Sequence, residues 1–193
     1  MKKIIPIQDG ELIYFPHFIE VNVAQDWFDY LYNNTPWRKD QIKIFGKVHD
    51  VPRLQAWYGD EDAIYSYSNI DLKPLKWTEK LLSIKSLVER KSTVEFNSVL
   101  INLYRDGKDS NGWHSDDEKE LGTNPEIASI TLGQDRTFKL KHKVRDFTEK
   151  LNLENGSLLI MRGKMQHHWK HQIPKSKKKL KPRINLTFRK IIT

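Results

Sequence analysis

Two spacings of apolar residues alternate along this chain and divide it into helical and extended parts. ELIYFPHFI, near the start, is apolar and partly extended. VAQDWFDYLYNN then places Val23, Trp27, Phe28 and Leu31 at intervals that suit an amphipathic helix ending near Asn33 and Asn34, just before Pro36. QIKIFGKVH alternates apolar and polar residues and carries Gly46 where a hairpin would bend. Over residues 74–91, PLKWTEKLLSIKSLVERK sets Leu75, Leu81, Leu82, Ile84 and Leu87 against Lys and Glu, which predicts a second helix. From Thr93 onward the pattern is that of strands: TVEFNSVLINLYR, EIASITL, RTFKLKH, GSLLIM and RINLTFRKII, separated by Gly, Asp and Asn at hairpin-like intervals. Helices first and antiparallel strands afterwards predict an α+β domain whose second half is a sandwich or barrel of jelly-roll type. No internal repeat or low-complexity linker interrupts the 193 residues, so one domain is the simplest organisation. Within it, residues 1–92 would carry the helices and hairpins, and residues 93–193 the strand-rich core.

Composition narrows the class. Thirty-eight per cent hydrophobic residues, with six Trp, seven Tyr and eight Phe, is a globular composition. No apolar run approaches the ~20 residues that span a bilayer, and MKKIIPIQDGELIYF lacks the apolar core and cleavage site of a signal peptide. The absence of cysteine excludes disulfides, thiolate metal sites and cysteine nucleophiles. A soluble intracellular protein is the expectation. Lys and Arg number 33 against 25 Asp and Glu, giving a formal charge of +8, which suits either a solvated lysine-rich surface or an anionic partner such as nucleic acid. KSKKKLKPR, Lys175 to Arg183, concentrates that charge and reads as a mobile loop or a phosphate-contacting one.

Against this basic background, GWHSDDEKELG gathers His114, Asp116, Asp117 and Glu118. In an extended segment His114 and Asp116 leave the same face. A neutral imidazole beside a carboxylate supplies two ligands of the 2-His-1-carboxylate set that holds non-haem Fe(II) with open positions. A second histidine is needed, and HHWKH at 167–171 offers His167, His168 and His171. Zinc accepts the same ligand types, which would make the site hydrolytic. In SVLINLYR, Asn102 and Tyr104 share a face. In RINLTFRK, Arg183, Asn185, Thr187 and Arg189 share one, with Ile184, Leu186 and Phe188 opposite. Each strand alone reads as a sheet with one wet side. Two arginine forks flanking hydrogen-bonding groups, however, suit a small dicarboxylate, and an iron oxygenase of this kind uses one as cosubstrate, 2-oxoglutarate among them.

These residues resemble the AlkB family of Fe(II)- and 2-oxoglutarate-dependent nucleic-acid dealkylases. The likeness is carried by NLYRDG before HSDDE, by HWKHQIP and PRINLTFRK, and upstream by IFGKVHDVPRLQAWYGD and YSYS. It spans about residues 41 to 191 and is closest to the animal DNA-repair subgroup that acts on double-stranded DNA. The resemblance implies a double-stranded β-helix (jelly-roll) core with N-terminal helices and a nucleotide-recognition hairpin region. It implies His114, Asp116 and His171 as iron ligands, His171 by its place before the x-x-Pro turn. It implies that Asn102, Tyr104, Arg183, Asn185, Thr187 and Arg189 hold 2-oxoglutarate. For the substrate it implies Tyr65 and Tyr67 against a flipped base, with Asp117 and Glu118 lining its pocket. Phe45, with Gly46 and Lys47 beside it, would be an apolar finger filling the gap in the duplex, and Arg53 a nucleic-acid contact.

The implied reaction is oxidative demethylation of bases of the 1-methyladenine and 3-methylcytosine type. It takes Fe(II), O2 and 2-oxoglutarate and releases formaldehyde, succinate and CO2. The implied partner is alkylated DNA, duplex or single-stranded; RNA is the rival substrate, and a non-catalytic nucleic-acid-binding module the rival class. A monomer without membrane contact is expected. Ser115 and Tyr67 depart from the closest subgroup, which leaves base preference open. No counterpart of its clamp-binding extension is visible, which points to a bacterial-type cytoplasmic enzyme (nuclear if eukaryotic).

Overall fold

The computed structural model describes residues 2–44, 46–63, 65–67 and 70–192. The chain opens with a hairpin of β1 (Lys3–Ile5) and β2 (Glu11–Phe15) and enters helix α1 (Val21–Asn34). Ala24, Trp27 and Leu31, three and four residues apart, form the buried stripe of α1. A second hairpin follows, β3 (Gln41–Ile44) with β4 (Lys47–Asp50), turning at Gly46 with φ +79°, a region open to glycine. Then come β5 (Leu54–Gly59), a short hairpin of β6 (Tyr65–Tyr67) and β7 (Ile70–Leu72), and helix α2 (Glu79–Glu89). No described helix is long and apolar enough to cross a membrane.

The second helix is shorter than the 74–91 pattern predicts. Leu75 is taken into a β-bridge with Tyr58, and Thr78 accepts the backbone N–H of Leu81 at 3.2 Å, capping the helix there. Leu81, Ile84 and Val88 are its buried residues.

The remaining strands are β8 (Ser98–Tyr104), β9 (Asn111–His114), β10 (Ile127–Gly133), β11 (Arg136–His142), β12 (Thr148–Leu153), β13 (Ser157–Arg162), β14 (Trp169–Ile173) and β15 (Arg183–Arg189). They form two antiparallel sheets. One has seven strands in the order β1-β2-β13-β10-β15-β8-β5, the other four in the order β12-β11-β14-β9. The larger sheet thus takes β1, β2 and β5 from the first 92 residues, and the core extends beyond the 93–193 stretch that the strand pattern marks. The short strands β9, β12 and β14 are additions to the predicted set.

Alternation along each strand of the large sheet separates two cores. Val99, Ile101, Ile184, Leu186 and Phe188 pack toward the helices, against Trp27, Leu31, Ile84 and Val88. Tyr104, Ile127, Leu159 and Met161 face the small sheet and meet Phe138, Leu140, Trp169 and Ile173. Each fully buried large apolar side chain contributes about 1.5–3 kcal/mol relative to exposure. This arrangement of two facing antiparallel sheets flanked by helices is the expected α+β jelly-roll, and the polar candidates lie between its sheets.

Candidate metal centre

Strand register builds the centre. In β9 and β14, His114 stands directly opposite His171, and their ring centroids are 4.2 Å apart. Asp116 follows two residues after the end of β9 and is buried, with Oδ2 3.6 Å from His171 Nε2. The candidate ligand atoms of His114, Asp116 and His171 all lie within 4.8 Å of one another. Of the three histidines in HHWKH, His171 alone joins this cluster. His167 lies in the helical turn Met165–His168 that precedes β14, and His168 belongs elsewhere.

The protonation states suit a cation. The Nδ1–H of His114 donates to the Gly112 carbonyl at 2.8 Å, leaving the lone pair on Nε2. Burial is the largest influence on Asp116 and would raise its pKa. Arg189, His171 and His114 together outweigh it and hold the carboxyl well below the usual carboxylate range. Burial, then His114, pushes His171 down to about 3 against the pull of Asp116, so its imidazole is neutral. Asp116 Oδ2 and His171 Nδ1 are both buried without a hydrogen bond. An anionic carboxylate, the neutral imidazole of His171 and the ring of His114 on one spot fit a divalent ion such as Fe(II).

A second cluster, Asp9, His142 and His168, brings ligand atoms within the same span. There Nδ1 of His142 accepts backbone N–H groups from Val144 at 3.2 Å and Arg145 at 3.0 Å, so Nε2 keeps the ring proton and has no lone pair to offer. That cluster is a poor ligand set.

Around the first cluster the polar face of β15 meets that of β8, with Arg183 opposite Tyr104 and Asn185 opposite Asn102. Arg183 is 1% exposed. Nη2 donates to Thr131 Oγ1 at 2.8 Å, the guanidinium lies over the Tyr104 ring at 5.1 Å, and Nε and Nη1 have no hydrogen-bond partner. Burial lowers its pKa to about 10, with Tyr104 opposing, so it stays cationic. A buried cation with unmet donors fits an anionic ligand, and the carboxylates of 2-oxoglutarate have that chemistry. Asn185 is held by Ser129 Oγ at 2.8 Å and the Ile130 carbonyl at 2.9 Å, and Thr187 donates to Asn185 Oδ1 at 3.1 Å. Arg189 bonds Asp116, Nη2 to Oδ1 at 2.6 Å. A single cavity is lined by His114, Asp116, His171, Asn102, Tyr104, Arg183, Asn185, Thr187 and Arg189, which unites the expected iron and 2-oxoglutarate residues.

The substrate residues are distributed differently. Arg53 is turned inward, Nε donating to Asn102 Oδ1 at 2.7 Å and Nη1 to the Ser110 carbonyl at 3.2 Å. Asp117 is exposed and ion-paired with Lys143 at 2.9 Å. Glu118 Oε2 is buried without a hydrogen bond, the less compensated of the two carboxylates. Gly46 is exposed at its hairpin turn. Phe45 lies outside the described residues, as do the side chains of Lys47, Tyr65 and Tyr67, whose backbones form β4 and β6.

Several supporting residues carry no sequence signal of their own. Gln166 accepts the Asp116 backbone N–H at 2.9 Å, Gln55 donates to Asn102 Oδ1 at 2.9 Å, and Asn111 lies 3.2 Å from His114 Nε2. The basic segment 175–183 is pinned at its base, where Ser176 N donates to the Gly107 carbonyl at 2.7 Å. A Cβ on Gly107 would fall 2.7 Å from the carbonyl oxygens of Ser176 and Lys178, so that close approach requires glycine.

Two facing antiparallel sheets enclosing a His-Asp-His cluster beside a buried arginine define an Fe(II)/2-oxoglutarate oxygenase architecture, and residues 11–189 match the model of the 2OG-Fe(II) oxygenase superfamily. The chain belongs to that superfamily and, within it, to the AlkB family. It is 40% identical over 188 residues to the alpha-ketoglutarate-dependent dioxygenase alkB homolog 3 of Mus musculus, covering 92% of this chain and 65% of that protein. It is 43% identical over 160 residues to the DNA oxidative demethylase ALKBH2 of Homo sapiens, covering 79% and 61%. The ALKBH2 of Arabidopsis thaliana is 34% identical over 224 residues, covering 99% and 70%. The chain therefore spans a little under two-thirds of the length of the mouse and human relatives. OsALKBH1 shares its fold at a TM-score of 0.63 and 16% identity over 97% of this chain and 100% of that one. A prolyl-4-hydroxylase of Pseudomonas putida shares it at 0.60 and 11% over 93% and 92%.

Proposed function

We propose that this chain catalyses oxidative demethylation of N-alkylated DNA bases, with His114, Asp116 and His171 holding Fe(II). The observation that carries the reading is the shared cavity between the sheets, in which the buried carboxylate and two imidazoles stand beside the unmet donors of Arg183. The names of the human and mouse relatives point to the same chemistry and to DNA. Iron with O2 and 2-oxoglutarate supplies the oxidising power, 2-oxoglutarate leaving as succinate and CO2 while the base methyl is hydroxylated and lost as formaldehyde.

The chain's own part is positioning and electrostatics. Arg183 offers its fork to one carboxylate of 2-oxoglutarate, with Tyr104, Asn102 and Thr187 around it. Arg189 keeps Asp116 ionised and oriented. A methyl on a base's pairing edge is reached only after the base leaves the stack, and Tyr65 and Tyr67 would flank it, with Phe45 filling the vacated space. A base alkylated on its pairing nitrogen carries positive charge, which the carboxylate of Glu118 would favour.

The test is formaldehyde release from 3-methylcytosine oligonucleotides supplied with Fe(II), ascorbate and 2-oxoglutarate. Wild type should turn over and His114→Ala should not; silence from both would leave only a binding module. Duplex DNA, single-stranded DNA and RNA of one sequence, run side by side, rank the substrates. Loss of duplex activity in Phe45→Ala would support the wedge.

A further inference from the structure

The four-stranded sheet has a second face, turned away from the His-Asp-His cluster. Strand pairing fixes its outward positions: Lys139 is opposite Lys150 on β12 and Gln172 on β14, and Lys141 is opposite Thr148 and Lys170. Their chain neighbours Phe138, Leu140, His142 and His171 point the other way and are buried. On β9, Trp113 faces outward beside inward-facing His114. It is 37% exposed, with Lys141 Nζ 4.6 Å from its ring centroid. Thr137 and Asn152 complete the set of outward positions, which contains no carboxylate.

Two directly opposed lysine pairs, Lys139 with Lys150 and Lys141 with Lys170, therefore share one open face. Opposed like charges destabilise a sheet. Among the described residues the lysines found in ion pairs are Lys39, Lys76, Lys85 and Lys143, none of these four. Protection of a sheet edge against aggregation accounts for Lys150 on the edge strand β12, but not for Lys139 and Lys141 on the internal strand β11. Lys141 is partly offset by its contact with the Trp113 ring, but the opposed lysines Lys139, Lys150 and Lys170 have no such partner among the ion pairs of the described residues, and an anion laid across them relieves the repulsion.

An exposed aromatic ring at one end of a lysine track is the combination by which proteins hold single-stranded nucleic acid, phosphates on the lysines and an unpaired base on the ring. β9 is the other edge of the sheet, so a strand leaving the His114 side passes over that edge onto Trp113. We propose that the outer face formed by Trp113, Lys141, Lys170, Lys139 and Lys150 is the track for the single-stranded stretch flanking the reacting base. This rests on the nucleic-acid substrate proposed above and adds where the flanking strand runs.

The test is equilibrium binding of an unmodified single-stranded oligonucleotide to the full chain without iron or 2-oxoglutarate, read by fluorescence anisotropy over a salt series. Each double variant, Lys139→Ser/Lys150→Ser and Lys141→Ser/Lys170→Ser, should weaken binding about tenfold and lower the slope of log K against log salt by about 1.4, at ~0.7 per lost phosphate contact. Trp113→Ala should weaken single-strand binding about tenfold and binding to the same sequence as duplex far less, since stacking needs an unpaired base. Thermal melting shows that the variants fold; Lys139→Ser/Lys150→Ser should melt at or above wild type because a like-charge pair is gone, while in Lys141→Ser/Lys170→Ser that gain is offset by loss of the Lys141 contact with the Trp113 ring. Unchanged affinity and salt slope in the quadruple lysine variant would overturn the track, and equal losses on single strand and duplex for Trp113→Ala would overturn the stacking. Binding without cofactors is independent of turnover, so this proposal and the demethylase reading fail separately.

Discussion

Arg189 Nη2 donates a 2.6 Å hydrogen bond to Asp116 Oδ1, tying the last strand of the large sheet to the carboxylate of the candidate iron site. The side chains are 18% and 3% exposed, so the pair is screened little by solvent. Removing one partner of a buried pair leaves the other charge uncompensated, at a cost of about 3–5 kcal/mol. Arg189→Ala should lower the stability of the metal-free chain by that order in urea unfolding. Arg189→Lys, which keeps the charge and loses the fork, should fall between. Adding Asp116→Asn to Arg189→Ala should recover part of the loss, because neither charge is then stranded. Additive losses in that cycle would mean that the contact contributes little.

Acid should destabilise the metal-free chain in two stages. His171 is lowered from 6.5 to about 3, first by burial and then by His114, and Asp116 is held below 3.8 by Arg189 and the two histidines against the effect of burial. Both folded values lie below the unfolded ones, so the unfolded chain binds more protons in each window and stability rises with pH there. The His171 contribution is complete above pH 6.5 and is lost as pH falls toward about 3. That of Asp116 is complete above 3.8 and is lost below it. Thermal midpoints recorded in chelator should therefore fall as pH drops below 6.5. His171→Leu should flatten that part of the curve; a variant that tracks wild type would place the acid sensitivity elsewhere.

Gln166 is fully buried and its Oε1 accepts the Asp116 backbone N–H at 2.9 Å, so it fixes where the carboxylate sits without being a ligand itself. Gln166→Leu strands that N–H at a cost of about 1–3 kcal/mol. Loss of a group that orients a metal ligand typically weakens metal affinity about 10–100-fold, and the Fe(II) concentration for half-maximal turnover should rise by that factor. Gln166→Glu keeps the acceptor but sets a second negative charge near Asp116, and its stability should fall most at neutral pH. Unchanged iron dependence in Gln166→Leu would reduce this contact to fold support.

Local periodicity made the β15 face legible: in a strand the period of two is rigid, so Arg183, Asn185 and Thr187 had to emerge together, as did Asn102 and Tyr104 on β8. What faces them is set by pairing between distant strands, and no local pattern announces Gln55, Ser129 or Thr131. His171 shows the same limit. Its selection from HHWKH follows from β14, where Trp169, His171 and Ile173 alternate inward and the register sets His171 opposite His114. The start of α2 was obscured because Leu75 fits a helical stripe but is claimed by a bridge to Tyr58. Arg53, an expected nucleic-acid contact by resemblance, bonds Asn102, a partner 49 positions away that no local pattern announces.

Arg183 should trade stability for ligand binding. It is 1% exposed, and Nε and Nη1 find no hydrogen-bond partner in the protein, so the ligand-free fold bears the cost of a buried, incompletely satisfied cation. Replacing such a charge with an apolar side chain of similar volume is often neutral or stabilising by about 1–4 kcal/mol. Arg183→Met should therefore melt at or above the wild-type temperature while losing 2-oxoglutarate-dependent turnover. Arg183→Lys, a point charge in place of a fork, should need about 10–100-fold more 2-oxoglutarate for half-maximal rate, the loss of one charge-assisted hydrogen bond at about 1.5–3 kcal/mol. Calorimetry of the metal-free variants and a 2-oxoglutarate titration of formaldehyde release measure the two effects independently. If Arg183→Met melts well below wild type, the contacts to Thr131 and the Tyr104 ring are what the arginine is kept for, and the case for a carboxylate partner weakens accordingly.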